Sequence, residues 1–251
     1  MFPIASFAFI GGMITGSFVG VVAHRLPQRR SIIGPRSECP ACGNRIPAYD
    51  NVPVLSWLVL GGRCRSCHAR IPARYPLVEL AVGAAFAATA IVLHERPAEL
   101  ALGLAFVAVL APLTLTDLER GVIPNAVLLA GALICVPLVS LTDPASLVER
   151  AIAAAGAGGF LLALAVAYPR GMGMGDVKLA ALMGLYLGSA VVPALAIAAC
   201  SGTLVGLVLM ASRGSGARKL AIPFGPFLAL GGVVALLWGQ QLIDWYLRTF
   251  V

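Results

Sequence analysis

The chain has 251 residues, 59% of them hydrophobic and 12% charged, with a mean hydropathy of +0.92 and a formal net charge of +7. Repeated charge-free stretches near twenty residues exclude a soluble domain and predict an all-α polytopic membrane protein. The basic excess does not indicate nucleic acid, because nine of the 18 basic residues crowd between Arg25 and Arg74; such one-sided charge marks the cytoplasmic side of a membrane protein.

Taken in chain order, charge-free runs cover 2–23, 80–93, 100–116, 121–142, 151–169, 179–212 and 220–243. The first starts at Phe2 without a basic stretch ahead of it and without an Ala-x-Ala site behind it. Residues 1–24 therefore read as a retained transmembrane helix and not as a cleaved signal peptide. Residues 25–75 form the one long polar segment, and 76–251 a core of about seven helices. The run at 80–93 reaches back to Tyr75 if Glu79 is tolerated in the membrane. The 34-residue run at 179–212 would be roughly 51 Å long as one helix, against a hydrocarbon core of about 30 Å. Gly188, Ser189 and Pro193 offer a break, which brings the count to about eight transmembrane helices.

Charge tests that count independently. With eight helices and 25–75 inside, 15 of the 18 basic residues fall in cytoplasmic loops, and only Arg96, Arg150 and Arg248 lie outside. A single helix over 179–212 would place Arg213, Arg218 and Lys219 on the outer face, against the positive-inside rule. Both termini then lie outside, and Asp117 and Asp176 sit at inner helix ends. No internal repeat is evident, although small residues recur at packing spacing in Ala153–Gly159 and Gly202–Gly206, as helix contacts in membranes require.

Within the polar segment, Cys39-Pro-Ala-Cys42 and Cys64-Arg-Ser-Cys67 are separated by 21 residues. Paired Cys-x-x-Cys knuckles at about this spacing suit a tetrahedral four-thiolate zinc site, and a closed shell of four cysteines makes the metal structural. Gly43, Gly61 and Gly62 supply turns beside the knuckles. Two disulfides are the competing reading, disfavoured in a reducing cytoplasm. The predicted zinc module of about 50 residues is small enough to need such a metal. His68 reads as a surface residue, His24 and His94 as interfacial ones, and Cys135 and Cys200 as packing residues.

Asp117 and Asp176 each lie at the end of an apolar run, and an ionisable group at membrane depth points to a functional site. Asp176 sits in Gly-Met-Gly-Met-Gly-Asp-Val-Lys-Leu (171–179). Glycine lets a backbone approach closely and tolerates a non-helical entry to the next helix. Gly173 and Gly175 are thus candidates to face a substrate, with Lys178 one turn further on. Two converging carboxyls share a proton, so one can draw a proton from water while the other donates to a carbonyl oxygen. That chemistry is intramembrane aspartic proteolysis. Singly, Asp117 could pair with Arg120 and Asp176 could cap its helix; Glu79, Glu119, Asp143 and Glu149 also lie near helix ends, and Glu79 reads as structural or substrate-facing.

The segment CPACGNRIPAYDNVPVLSWLVLGGRCRSCHARIPARYPLVEL (39–80) resembles the cytoplasmic module of bacterial prepilin peptidases, or type IV leader peptidases. DLERGVIPN (117–125) and GMGDVKLAALMGLYLG (173–188) resemble the family's two aspartate motifs. IPFGPFLALGG (222–232) and the early Gly16-Ser-Phe are similar to further signatures, so the likeness runs along nearly the whole chain. It implies Asp117 and Asp176 as the catalytic pair and Cys39, Cys42, Cys64 and Cys67 as zinc ligands. It implies type IV prepilins or type II secretion pseudopilins as substrates, cut after a leader glycine at the cytoplasmic face of the inner membrane. Members with the cysteine module commonly also N-methylate the new N-terminus with S-adenosylmethionine, so the resemblance implies that second activity here. No dinucleotide-type glycine loop marks where that methyl donor would bind, and no feature sets the oligomeric state.

Two other classes make different demands. A proton- or cation-coupled transporter would use both aspartates but has no need of cysteine knuckles, and an assembly factor would use the knuckles for docking without needing the aspartates. Presenilin-like and preflagellin peptidases share Gly-x-Gly-Asp but lack the knuckles and the DNVPVLSW segment between them.

Overall fold

A computed structural model describes residues 2–28, 30–32, 34, 37–169, 171–213 and 222–250. Arg29, Arg36, Arg170, Arg218 and Lys219, part of the expected cytoplasmic charge, lie outside the described residues. The long elements are all helices, and the only β pairing among described residues is two isolated bridges, Glu38 with Arg45 and Arg63 with Arg70. Among the described residues, seven helical segments are long and apolar enough to cross a membrane. The protein is a multi-pass membrane protein of two compact units, Met1–Leu100 and Ala101–Val251.

The first unit contains α1 (Phe2–Arg25), the short α2 (Leu55–Val59) and α3 (Arg74–Leu93). Helices α1 and α3 run antiparallel at very close range. A Cβ on Gly12 would lie 2.8 Å from the Cα of Gly83, and one on Gly16 would lie 2.7 Å from the Cα of Glu79. Gly20 continues the row beside the ring of Tyr75. Glycine every fourth residue leaves a flat stripe on which a second backbone can lie, the usual means of helix association where lipid removes the hydrophobic driving force. The stripes anticipated at Ala153–Gly159 and Gly202–Gly206 are only partly used for packing: a Cβ on Gly156, Gly159 or Gly206 would meet nothing within 4 Å.

The second unit is built on α4 (Pro97–Arg120), which starts in the first, and continues through α5 (Asn125–Thr142), α6 (Leu147–Ala167), α7 (Met174–Leu187), α8 (Val191–Arg213) and α9 (Gly225–Phe250). Its core is Phe106, Leu110 and Leu113 of α4 against Leu179, Met183 and Tyr186 of α7 and Leu228 of α9. Phe106 stacks on Tyr186 with ring centroids 5.0 Å apart. The Tyr186 hydroxyl donates to the Gly131 carbonyl at 2.8 Å, which satisfies its buried polar end.

By length and hydropathy Met174–Ser212 is one 39-residue segment, but the helix reverses inside it. A one-turn 3-10 element at Gly188–Ala190 separates α7 from α8, and Gly188 takes a φ of +58°, which glycine adopts without steric cost. The neighbours fix the direction. Gly239 of α9 lies against Ala190, Gly231 against Ala194, and Gly202 against Phe224 and Phe227. Helix α8 therefore returns to the end of the unit where α9 begins. The break falls at the anticipated Gly188 and Ser189, whereas Pro193 sits in the first turn of α8, where its missing N–H costs no helical bond. Eight long helices result among the described residues. Arg150 of α6 donates to the carbonyls of Leu185, at 3.3 Å, and Tyr186, and Glu149 accepts from the Ser189 N–H at 3.2 Å. These bonds satisfy groups that the end of α7 would otherwise leave unpaired.

Candidate active site and metal centre

Asp117 lies in the last turn of α4, five residues beyond Pro112, and is only 6% exposed. Its Oδ2 accepts the main-chain N–H of Gly225 at 2.8 Å. Gly225 opens α9, so its N–H has no partner inside the helix and is free to be used in this way. Pro226 follows it, as suits the start of a helix. Nothing in the sequence of 222–232 assigns Gly225 a role; the structure makes it the residue that holds Asp117.

Asp176, 7% exposed, occupies the first turn of α7. Its Oδ2 reaches back to the Gly173 N–H at 3.3 Å, one half of a capping box. Its other oxygen, Oδ1, is buried without a hydrogen-bond partner. A buried carboxylate oxygen with no donor is costly and rarely kept without a use. The two carboxyls lie within Coulombic reach of each other. Buried polar groups in this unit are few, and these two come together.

The flanking residues separate into distinct roles. Gly173 is exposed, and a Cβ there would lie 3.5 Å from Asp176 Oδ2. Gly175 is different: a Cβ would lie 2.9 Å from the Cβ of Ile123, so that face is filled by the loop after Asp117. Lys178 donates to Asn125 Oδ1 at 3.0 Å, tying the end of one aspartate motif to the helix of the other.

In the first unit, Cys39, Cys42, Cys64 and Cys67 bring their sulfurs within 4.8 Å of one another, and all four are free thiols. The Sγ atoms of Cys39 and Cys67 are 3.8 Å apart. A tetrahedral ion with Zn–S bonds of about 2.3 Å sets its sulfurs about 3.8 Å apart, so the donor set and its dimensions fit a metal. Main-chain N–H groups of Cys67 and then Ser66 hold the Cys64 thiol down at about 7. The Ala69 N–H acts the same way on Cys67, but burial and the neighbouring thiols push that group up to about 11. Crowded thiols resist joint ionisation, and a divalent cation is what relieves them.

Contrary to the expectation of no internal repeat, one underlies the module. Cys39-Pro-Ala-Cys-Gly-Asn-Arg-Ile-Pro-Ala48 corresponds to Cys64-Arg-Ser-Cys-His-Ala-Arg-Ile-Pro-Ala73. The Cys39 N–H donates to the Asn44 carbonyl and the Cys64 N–H to the Ala69 carbonyl, each at 2.9 Å. Gly43 and His68 occupy equivalent positions with φ of 71° and 58°. The signal was available in the shared Arg-Ile-Pro-Ala, which follows both knuckles. Between the repeats, Arg65 makes a two-point ion pair with Asp50, at 2.7 and 2.6 Å, and holds the Asp50 carboxyl below its ordinary range.

The second unit thus holds two buried carboxyls within reach of each other, and the first unit holds a four-thiol cluster. The chain belongs to the type IV leader peptidase family. The family model for the bacterial peptidase A24 N-terminal domain matches residues 10–93, and that of the type IV leader peptidase family matches residues 104–210. A prepilin leader peptidase/N-methyltransferase of Aeromonas hydrophila is 38% identical, covering 98% of this chain and 94% of its own. Proteins of the same name from Aeromonas salmonicida, 36% identical over the same shares, and Bacillus subtilis, 34% identical over 97% of this chain and 98% of its own, are also similar. No solved structure matches the chain.

Proposed function

We propose that this protein is a prepilin leader peptidase in which Asp117 and Asp176 are the catalytic dyad. The observation that carries the reading is the unequal setting of the two carboxyls. Asp117 is fixed by the Gly225 N–H through Oδ2, whereas Asp176 keeps a buried Oδ1 with no partner. One carboxylate takes a proton from the attacking water while the other carboxyl donates to the scissile carbonyl oxygen. Open Gly173 lets an extended substrate backbone pass beside Asp176, Gly175 holds the loop carrying Ile123 against α7, and Lys178 lies near the substrate path. Type IV prepilins and pseudopilins, each with a basic leader before a hydrophobic helix, are substrates of the right form, because their cleavage site lies where that helix meets the interface.

The relatives' names carry a second activity, and we assign it here too: methylation of the new N-terminal amine with S-adenosylmethionine as donor. Cys39, Cys42, Cys64 and Cys67 would hold one structural zinc ion, which supplies cross-linking to a segment of small core and no reaction step. The excess of basic residues in 25–75 supports an inner-membrane protein with its active site facing the cytoplasm. Family membership leaves the transporter reading without support. The test is leader removal from a prepilin by the purified enzyme in detergent or vesicles, followed by gel mobility and N-terminal mass. A protein that leaves the leader intact but moves protons would overturn the proposal.

A further inference from the structure

Helix α3 has 20 residues, from Arg74 to Leu93, and at 1.5 Å per residue that is only just enough to cross a hydrocarbon core of about 30 Å. Arg74, with its guanidinium over the Tyr75 ring at 5.3 Å, therefore marks the boundary, as an interfacial aromatic and cation should. Glu79 lies five residues further in, about 7.5 Å along the axis. It is buried against α1, where Gly16 makes room for it. Its Oε2 does not reach out to water: it accepts the main-chain N–H of Val54 at 2.7 Å. Val54 itself has a φ of 61°, a costly conformation for a β-branched residue and one that the surroundings must impose.

That bond places the start of α2 at the level of a carboxyl inside the membrane span. The polar atoms of α2 turn inwards: Ser56 donates to the Tyr49 carbonyl at 3.0 Å, and the Trp57 indole donates to the Ile71 carbonyl at 3.0 Å. Its outward side is apolar, with Leu55, Leu58 and Val59 exposed by 61%, 60% and 81% and Val52 beside them. Arg45, Arg63, Arg70 and Arg74 stand exposed on the same module. An apolar helix face at this depth, within a cationic setting, has the chemistry of an interfacial segment.

We propose that Val52–Val59 is a membrane-surface insertion: α2 lies in the headgroup–acyl boundary of an anionic leaflet, with Leu55, Leu58 and Val59 in the acyl region. Glu79 is its anchor, a positioning residue that fixes the depth of the segment through Val54. The cysteine module is then held against the bilayer between its two arms and does not stand off in water.

The experiment places a photo-crosslinking amino acid at Leu58, or at the exposed Asn44 of the first knuckle, in the full chain reconstituted in vesicles of phosphatidylglycerol and phosphatidylethanolamine. Adducts are then identified by mass. The expected result is a lipid-adduct yield at position 58 several-fold above that at position 44. Equal yields, or adducts at 58 to a prepilin or to a second copy of this chain in place of lipid, overturn the proposal. Glu79→Gln keeps an acceptor for the Val54 N–H and should retain the lipid adduct, whereas Glu79→Ala should lose most of it. An unchanged yield in Glu79→Ala removes Glu79 from the anchoring role.

Discussion

Gly225 holds Asp117 across 108 residues of sequence, and it does so with its backbone alone: the N–H is 2.8 Å from Oδ2. A Cβ built on Gly225 would lie 2.6 Å from the same oxygen. The position therefore has to donate and to be without a side chain. Gly225→Ala keeps the donor but pushes the carboxyl aside. A misplacement of about 1 Å costs on the order of 100-fold in rate, and a loss of that size in leader cleavage is expected while the protein stays folded in detergent. Cleavage near the wild-type rate in a folded Gly225→Ala enzyme would show that Asp117 does not need this seat.

Asp117→Asn and Asp176→Asn should each abolish cleavage, and the double variant should be no worse than either, because members of a cooperating pair are not additive. Both variants should remain in the membrane fraction. The pH–rate profile of the parent enzyme should be bell-shaped, since one carboxyl has to be ionised and the other protonated. Its two apparent values belong to the pair and not to either residue. A profile with a single inflection would indicate that only one carboxyl takes part.

The glycines around Asp176 can be separated by substitution. Gly175→Val should impair cleavage severely, because the side chain collides with Ile123 at 2.9 Å and pushes the loop after Asp117 away from α7. Gly184→Val should be damaging as well, through packing: a Cβ there would lie 2.5 Å from the backbone of Ala154. Gly156, whose Cβ meets nothing within 4 Å, is the proper reference, and Gly156→Val should cleave normally. Melting temperature and rate measured together distinguish the cases: Gly184→Val should lose stability, and Gly175→Val mainly rate.

Metal analysis should find about one zinc per chain, since four thiolates saturate one tetrahedral ion. Cys39→Ser or Cys64→Ser should lower that content and raise hydrogen exchange in 37–73, with the aspartates untouched. Acidification should release the metal, because protons compete for the thiolates. Zinc absent from protein kept reduced throughout purification would contradict the assignment.

The Asp50–Arg65 pair gives a separate pH effect. Its carboxyl is held below the ordinary value by the Arg65 hydrogen bonds, so the pair's contribution to the module is present above the unfolded Asp value and is lost as pH falls through the folded one. Asp50→Asn should remove that acid-side component of module opening, read by hydrogen exchange.

Much of this was legible in the sequence, for a reason particular to membranes. An aspartate in an apolar run stands out because burying it is expensive, so Asp117 and Asp176 could be singled out before any fold was known. The break at Gly188 was legible because the run was too long for the bilayer. The Gly225–Asp117 bond was not, because no local pattern links residues 108 positions apart. The filling of Gly175 by Ile123 was equally hidden, since glycine looks the same in a sequence whether it faces a substrate or a neighbouring side chain. The row Gly12, Gly16 and Gly20 and the repeated Arg-Ile-Pro-Ala are legible in the sequence, but the cysteine knuckles beside them carry the stronger pattern.

The reversal at Gly188–Ala190 makes α7 a helix of only 14 residues, about 21 Å in length. The hydrocarbon around it is nearer 30 Å, a mismatch that lipids meet by thinning or that water meets by entering. Arg150 and Glu149 clamp the far end of α7, so the deficit is expected at the Asp176 end. Hydrolysis consumes water at a depth where a bilayer normally excludes it. On the function proposed above, a short helix at that end would admit this reactant to the dyad and leave the end of a substrate helix where water can take over its hydrogen bonds.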